Sequence, residues 1–304
     1  MTEPWAADVA ITVELARTLI DGQFPELAGA PVEALGEGWD NAAFLAGGEF
    51  VFRFPRRAVA APLMAREIAI LPILAPQLPV SISAPRFVGT PVPAYSWPFA
   101  GYRSFRGIAL SAAELSSPAY LRLAASLGKF LRVLHRVDPA PALAAGLPDD
   151  EIGRLDHAVR MPKLDERFAA LSVAGLVADP QPFFDYLHEA APQAPRTEQL
   201  TIVHGDLYAK HVIVDAGGDV EGVIDWGDVH FGDPAIDLSI VFEMLPPAAR
   251  DAFTDAYGTI DEQTWRLARY RAIYHAALVA YYGYRIGSEE TLRAGLRGLK
   301  YAAP

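Results

Sequence analysis

The chain has 304 residues, 52% of them apolar, enough to build two lobes and to exclude global disorder. Its formal charge of −11 repels phosphate backbones, so nucleic acid is not an expected partner and a cationic ligand is favoured. The absence of cysteine excludes disulfides, thiolate metal sites and a cysteine nucleophile.

The N-terminus, "MTEPWAADVAITVELARTL", carries early acids and no basic segment, so a signal peptide is not expected. No apolar run reaches the roughly 18 residues of a spanning helix, so no membrane association is expected either. Together with the missing cysteines this predicts a soluble, cytoplasmic protein. "ITVELARTLIDGQFPEL" has helical apolar spacing and should end near Asp21-Gly22. "VEALGEGWDNAAFLAGGEFVFRFPRR" is broken by Gly36, Gly38 and Gly47-Gly48, and predicts an antiparallel meander of two or three strands. "PLMAREIAILPIL" follows as a helix starting near Pro62 and limited by Pro72. The prolines from Pro76 to Pro98 frame two further strands, "APRFVGT" and "WPFAGYRSF".

"RGIALSAAEL" reads as a connector between lobes, which places a first lobe at 1–106 and a second at 107–304. "SPAYLRLAASLGKFLRVLHRV" is a long amphipathic helix, and 139–198 should be helical with proline-rich loops. Residues 200–226 read as two short strands joined by turns, and helices dominate from Pro234 onward. Strands and helices do not alternate regularly. The expected class is therefore α+β, with a small β-rich lobe and a larger, mainly helical one, rather than a doubly wound sheet.

The chemistry concentrates in the second lobe. "HGDLYAKH" sets Asp206 five positions before His211. "GVIDWGD" brings Asp225 after a strand-like run, and "GDPAIDLS" adds Asp233 and Asp237. Acids at the ends of adjacent strands can form one pocket, whereas a single Asp would as easily be a turn residue.

This ordered set resembles the aminoglycoside and macrolide phosphotransferase family, which has the protein-kinase-like fold. Such kinases carry H-x-D-x-x-x-x-N and, downstream, a metal-binding Asp followed by an aromatic or similar residue and Gly. His204-Gly205-Asp206 and Asp225-Trp226-Gly227 match, and His211 stands where Asn is usual. The resemblance implies Asp206 as catalytic base, Asp225 and His211 as Mg²⁺ ligands, and GTP or ATP as phosphate donor. It makes His204 a structural residue bonding backbone near Asp225, and Asp237 a brace for the catalytic loop. Asp233 is either a turn residue or a pocket wall, and Lys210 an exposed bystander.

A kinase also needs a strand cation oriented by a helix carboxylate. The four lysines are Lys129, Lys163, Lys210 and Lys300, so the first-lobe cation must be an arginine, Arg53. Glu67 is the one acid between Glu49 and Glu114. Gly36 and Gly38 fall where a glycine loop would bring N–H groups to phosphates, although a tight hairpin turn would look the same. Backbone groups of Arg103 and Phe105 would face the purine edge, and Tyr102 would gate its pocket.

Asp149, Asp150, Glu151, Asp156, Glu243, Asp251, Asp255 and Glu262 suit a cationic acceptor such as an aminoglycoside. The aromatics of "WRLARYRAIYHAALVAYYGYR" could line a macrolide groove, or simply pack the core. The alternatives are a metabolic kinase of the choline or homoserine type, a nucleotide-binding pseudokinase, and a metal-dependent hydrolase using His204, Asp206, His211, Asp225 and His230.

Overall fold

The computed structural model describes residues 7–192, 196–197 and 199–304. Helix α1 (Val13–Gln23) starts at Thr12, whose hydroxyl accepts from the Leu15 N–H at 3.2 Å. Strands β1 (Val32–Glu37), β2 (Asn41–Ala46) and β3 (Phe50–Pro55) form the expected meander. Gly47 and Gly48 close the β2–β3 hairpin with φ of 61° and 69°, the two left-handed positions that such a turn requires.

Helix α2 (Ala60–Leu74) contains Pro72 instead of stopping there. An interior proline costs about 3 kcal/mol. The helix continues because Ile70, Leu71 and Leu74 are fully buried around it. After β4 (Ser81–Ile82) come β5 (Pro85–Gly89) and β6 (Phe99–Arg103). One antiparallel sheet results, in the order β1-β2-β3-β6-β5. Its core is aromatic: Phe54 stacks on Phe99 at 4.5 Å, and Phe24 meets Phe87 edge-on at 5.1 Å.

The expected connector holds a short strand, β7 (Ile108–Ala109). It is fixed by Glu221, whose carboxylate accepts from the N–H groups of Arg106 and Gly107 at 2.8 and 2.5 Å. Helices α3 (Ser117–Leu134), α4 (Ala140–Ala144), α5 (His157–Val173) and α6 (Gln181–Ala190) follow. Ser116 caps α3 and Asp156 caps α5.

The region expected to hold two strands holds three: β8 (Thr201–Val203), β9 (Val212–Val214) and β10 (Val220–Val223). Only β9 and β10 form a hairpin; β8 pairs instead with β11 (His230–Gly232). The period-two pattern could not show this, because the partner strand lies beyond the next motif. Helices α7 (Ala235–Met244), α8 (Arg250–Tyr257), α9 (Glu262–Ile286) and α10 (Glu289–Ala302) complete the chain.

The larger core joins α3, α7 and α9 to the back of α2 and to β4, which pairs in parallel with β10. Thus α2 lies on the five-stranded sheet with one face and enters the helical core with the other. In α9 the aromatics Tyr270 and Tyr274 are core residues. Among the described residues no helix is long and apolar enough to cross a membrane.

Candidate active site

The loop between β8 and β9 is built around two buried groups. Asp237, at the start of α7, accepts from the His204 N–H at 2.7 Å and from the Gly205 N–H at 3.0 Å. Burial would raise its carboxyl. The His135 ring 3.3 Å away, His204 and these N–H groups outweigh that and hold it below the usual range. The His204 Nε2–H donates to the Ile224 carbonyl at 3.0 Å, so its Nδ1 accepts from the Asp206 N–H at 3.2 Å. Burial depresses this imidazole, which stays neutral and links the two loops. Gly205 has φ 87°, and a Cβ there would stand 2.2 Å from the Asp228 carbonyl oxygen.

Asp206 projects from this loop with two imidazoles beside it. Its Oδ1 lies 3.2 Å from His275 Nε2 and its Oδ2 3.6 Å from His211 Nδ1. Burial would raise the carboxyl, but His275 and then His211 hold it far below the ordinary value. His211 donates from Nδ1 to the Asp206 carbonyl at 2.7 Å and turns Nε2 toward Asp225 Oδ2 at 3.3 Å. Burial would lower the His211 ring; Asp225 and Asp206 outweigh it and raise its affinity for a proton.

Arg53 joins this cluster from β3. Its guanidinium meets Glu67 of α2 at 3.1 Å and Asp225 Oδ1 at 2.6 Å. The Tyr102 hydroxyl donates to Glu67 Oε2 at 3.0 Å. Burial would lower the Arg53 pKa, but Asp225 and Glu67 raise it, so the cation persists. Glu67, Arg53, Asp225, His211 and Asp206 thus form one continuous polar chain from α2 to the loop between β8 and β9.

The remaining expected residues are placed as follows. Gly36 has φ 152° beside a bulge in β1. Gly38 departs from expectation: its N–H donates to the Asn41 carbonyl at 2.8 Å, so the hairpin itself uses the group assigned to phosphate. At the same tip, Trp39 stands edge-on to Tyr282 of α9 at 4.8 Å, and Asp40 feels the charges of Asp225 and Arg53. Arg103 pairs with Phe50 in the sheet and turns an exposed guanidinium to Glu49 at 3.0 Å. The Phe105 ring lies on Gly222, where a Cβ would come within 2.3 Å of it. Tyr102 is buried under the Arg53–Glu67 pair.

Asp233 is a turn residue, accepting from the Ala235 N–H at 2.9 Å and pairing with Arg196. Lys210 is half-buried, not exposed, because its Nζ donates to Thr291 Oγ1 at 2.7 Å.

Four further residues belong to the site. His275 of α9 bridges Asp206 to Glu243 of α7, with Nδ1 at 2.9 Å from Oε1. Burial would lower this imidazole; Glu243 and Asp206 lift it to about 9. Arg154 donates to the Gly205 carbonyl at 3.0 Å and pairs with Asp228. Burial, then the charge of Asp206, push the Asp228 carboxyl up to about 6. Glu243 was named only among the acids suited to a cationic acceptor; its place on α7, an apolar helix that also carries Asp237, was the available signal for a buried role. His275 and Arg154 carry no comparable local signal.

Among the described residues no group of three or more His, Asp or Glu side chains is arranged to hold a metal ion. His230 turns Nδ1 to the Asp228 carbonyl at 2.7 Å and buries Nε2 without a partner, away from any shared shell. Mg²⁺ in nucleotide sites needs only one or two protein ligands beside phosphate oxygens and water. Asp225 suits that role; His211 Nε2 suits it once deprotonated.

A β-rich sheet with a braced arginine, facing a helical unit that carries the H-x-D loop, defines a protein-kinase-like phosphotransferase fold. The pattern of APH, the phosphotransferase enzyme family, matches residues 31–272, and the chain belongs to that family. It is 34% identical over 103 residues to viomycin phosphotransferase of Streptomyces vinaceus; the match spans 33% of this chain and about a third (36%) of that relative's length. Among solved structures, the GDP and kanamycin complex of APH(2")-IIia is similar at 26% identity and TM-score 0.68, covering 94% of this chain and 97% of that one. Macrolide 2'-phosphotransferase type I shares the fold at 21% identity and TM-score 0.63, covering 96% and 98%.

Proposed function

We propose that this protein transfers the γ-phosphate of GTP or ATP to a hydroxyl of a small-molecule acceptor, as an antibiotic-kinase-like phosphotransferase. The observation that supports the reading is the chain Glu67–Arg53–Asp225–His211–Asp206, in which an arginine, three carboxylates and an imidazole lie side by side. The nucleotide complexes of similar structures support a nucleotide donor.

Asp206 accepts the hydrogen bond of the attacking hydroxyl and takes its proton as the phosphoryl group transfers. Its low basicity suits a loose transition state, in which alignment contributes more than early proton removal. Arg53, held by Glu67 and Tyr102, turns from Asp225 to the donor phosphates. Asp225, with His211 as second ligand, would hold Mg²⁺, which would supply neutralisation of phosphate charge. In this reading the nucleotide lies between the sheet and the helical unit, with backbone groups of Arg103 and Phe105 along its purine side, while Tyr102, buried and bonded to Glu67, supports the phosphate grip instead of gating the purine pocket.

The test is nucleotide turnover with a panel of aminoglycosides, macrolides and small alcohols, at defined Mg²⁺. Acceptor-dependent release of GDP or ADP supports the reading. Magnesium-independent ester hydrolysis, or nucleotide binding without turnover for every acceptor, contradicts it.

A further inference from the structure

Half of the acids expected to attract a cationic acceptor are engaged within the protein, among them the ones nearest Asp206. Asp150 pairs with Arg154, Glu151 with Arg66, Glu243 with His275, and Asp156 caps α5. What remains beside Asp206 is positive. Three arginines surround the Tyr274 ring between α5 and α9: Arg160 at 5.3 Å, Arg167 at 5.0 Å and Arg271 at 5.8 Å from its centre.

Among the described residues none of the three meets a carboxylate at ion-pair distance. Arg160, 7% exposed, donates to the carbonyls of Gly153 (at 2.8 Å) and Ile152, and reaches the Tyr274 hydroxyl at 3.5 Å. Arg167 buries one terminal nitrogen with no hydrogen-bond partner. Arg271 is 6% exposed and has no hydrogen-bond acceptor among the described residues. The nearest acids are engaged elsewhere: Asp206 and Glu243 by His275, Asp150 and Asp228 by Arg154.

Guanidinium groups withdrawn from water repel one another and are costly without anions to neutralise them. Here the direct bonding partners are only carbonyl dipoles and a phenol, and Asp206 and Glu243, which also favour the Arg271 charge, act from beyond ion-pair distance. The repulsion is felt: burial, with Arg154 and Arg160, makes Arg271 a weaker holder of its proton than usual. Planar guanidinium forks match carboxylate and phosphate oxygens in pairs. The cluster is also well placed. Arg271 precedes His275 by one turn of α9, and His275 touches Asp206. A polycation seated here would add to the repulsion.

We propose that Arg160, Arg167 and Arg271 bind an oxyanion, a carboxylate or phosphate ester, carried by the acceptor whose hydroxyl reaches Asp206. The acceptor is then a hydroxylated acid rather than a polyamine. This deepens the phosphotransferase reading and rests on it for the reaction, but not for binding.

The experiment has two arms. In the first, turnover with Mg²⁺ and GTP or ATP is compared for gluconate against sorbitol, glycerol 3-phosphate against glycerol, and kanamycin. The acidic member of each pair should show a kcat/KM roughly a hundredfold higher, as for a site built to bond a group its analogue lacks. Arg271→Gln should lose that preference through KM, and Arg271→Lys should retain part of it. Equal use of both members, or preference for kanamycin, overturns the oxyanion site and leaves the kinase reading standing.

In the second arm, inorganic sulfate is titrated against thermal unfolding. It should stabilise the wild type and Arg53→Gln, which lacks the phosphate-gripping cation, but not Arg271→Gln or the half-buried Arg167→Gln. That result without any turnover keeps the oxyanion site and sinks the kinase reading. Stabilisation unaffected by Arg167→Gln and Arg271→Gln, or absent in the wild type, overturns the site.

Discussion

Asp225 is the one non-glycine residue with positive φ among those described, at 64°. Such a conformation costs on the order of 1–3 kcal/mol and persists only where the surroundings enforce it. Here it turns the carboxylate toward Arg53 on one oxygen and His211 on the other. Gly205 is constrained from the opposite side. We expect Gly205→Ala to lower stability by more than about 2 kcal/mol, since the new methyl must displace the Asp228 carbonyl at an unfavourable φ. Urea unfolding measures this; an unchanged midpoint would show that the loop yields easily. Tyr102→Phe removes one donor from the buried Glu67, at about 1–2 kcal/mol, and should raise the nucleotide KM several-fold with little change in kcat. If KM is unmoved and only stability falls, Tyr102 supports the fold and not the phosphate grip.

At the scale of elements, α7 and α9 are joined beneath the loop between β8 and β9 by the Glu243–His275–Asp206 bridge. The folded-state pKa of His275, about 9, lies above the roughly 6.5 of an unfolded chain. Its contribution to stability is therefore complete below about pH 6.5 and disappears as pH rises through 9. Wild-type unfolding free energy should fall between those values, and His275→Gln should flatten that segment of the profile. Equal slopes in both proteins would mean that the bridge carries no charge. Asp228 acts in the reverse order. Its carboxyl, raised to about 6, makes deprotonation unfavourable in the folded state, so part of the stability present at low pH is lost as pH rises from about 4 to 6. Asp228→Asn should remove that loss in an acid-range titration; a profile unchanged by the substitution would contradict it.

At the scale of the molecule, the two halves meet through the Arg53–Asp225 contact, the Trp39–Tyr282 contact and the shared helix α2. The architecture was largely legible in the sequence: turn glycines and aromatic alternation marked the meander, and helical periodicity marked α1, α3 and α9. Pro72 misled because local propensity yields to buried packing, and β8 misled because its partner lies across an intervening motif. Within the site, the pairing of Arg53 with Glu67 was readable by elimination, and the loop residues were singled out through the resemblance that their ordered spacing carries. His275, Arg154 and the Tyr274 arginines were not readable. Their roles come from helices brought together only by the tertiary fold, and three of the acids that suggested a cationic acceptor, Asp150, Glu151 and Glu243, are paired by that same packing.

The central claim, that Asp206 serves an acceptor hydroxyl beside a metal-nucleotide site, is tested most directly by acceptor-dependent nucleotide turnover in Asp206→Asn. The account predicts a fall in kcat of about 10²–10⁴-fold with nucleotide binding retained. Turnover at the wild-type rate in that variant would contradict it.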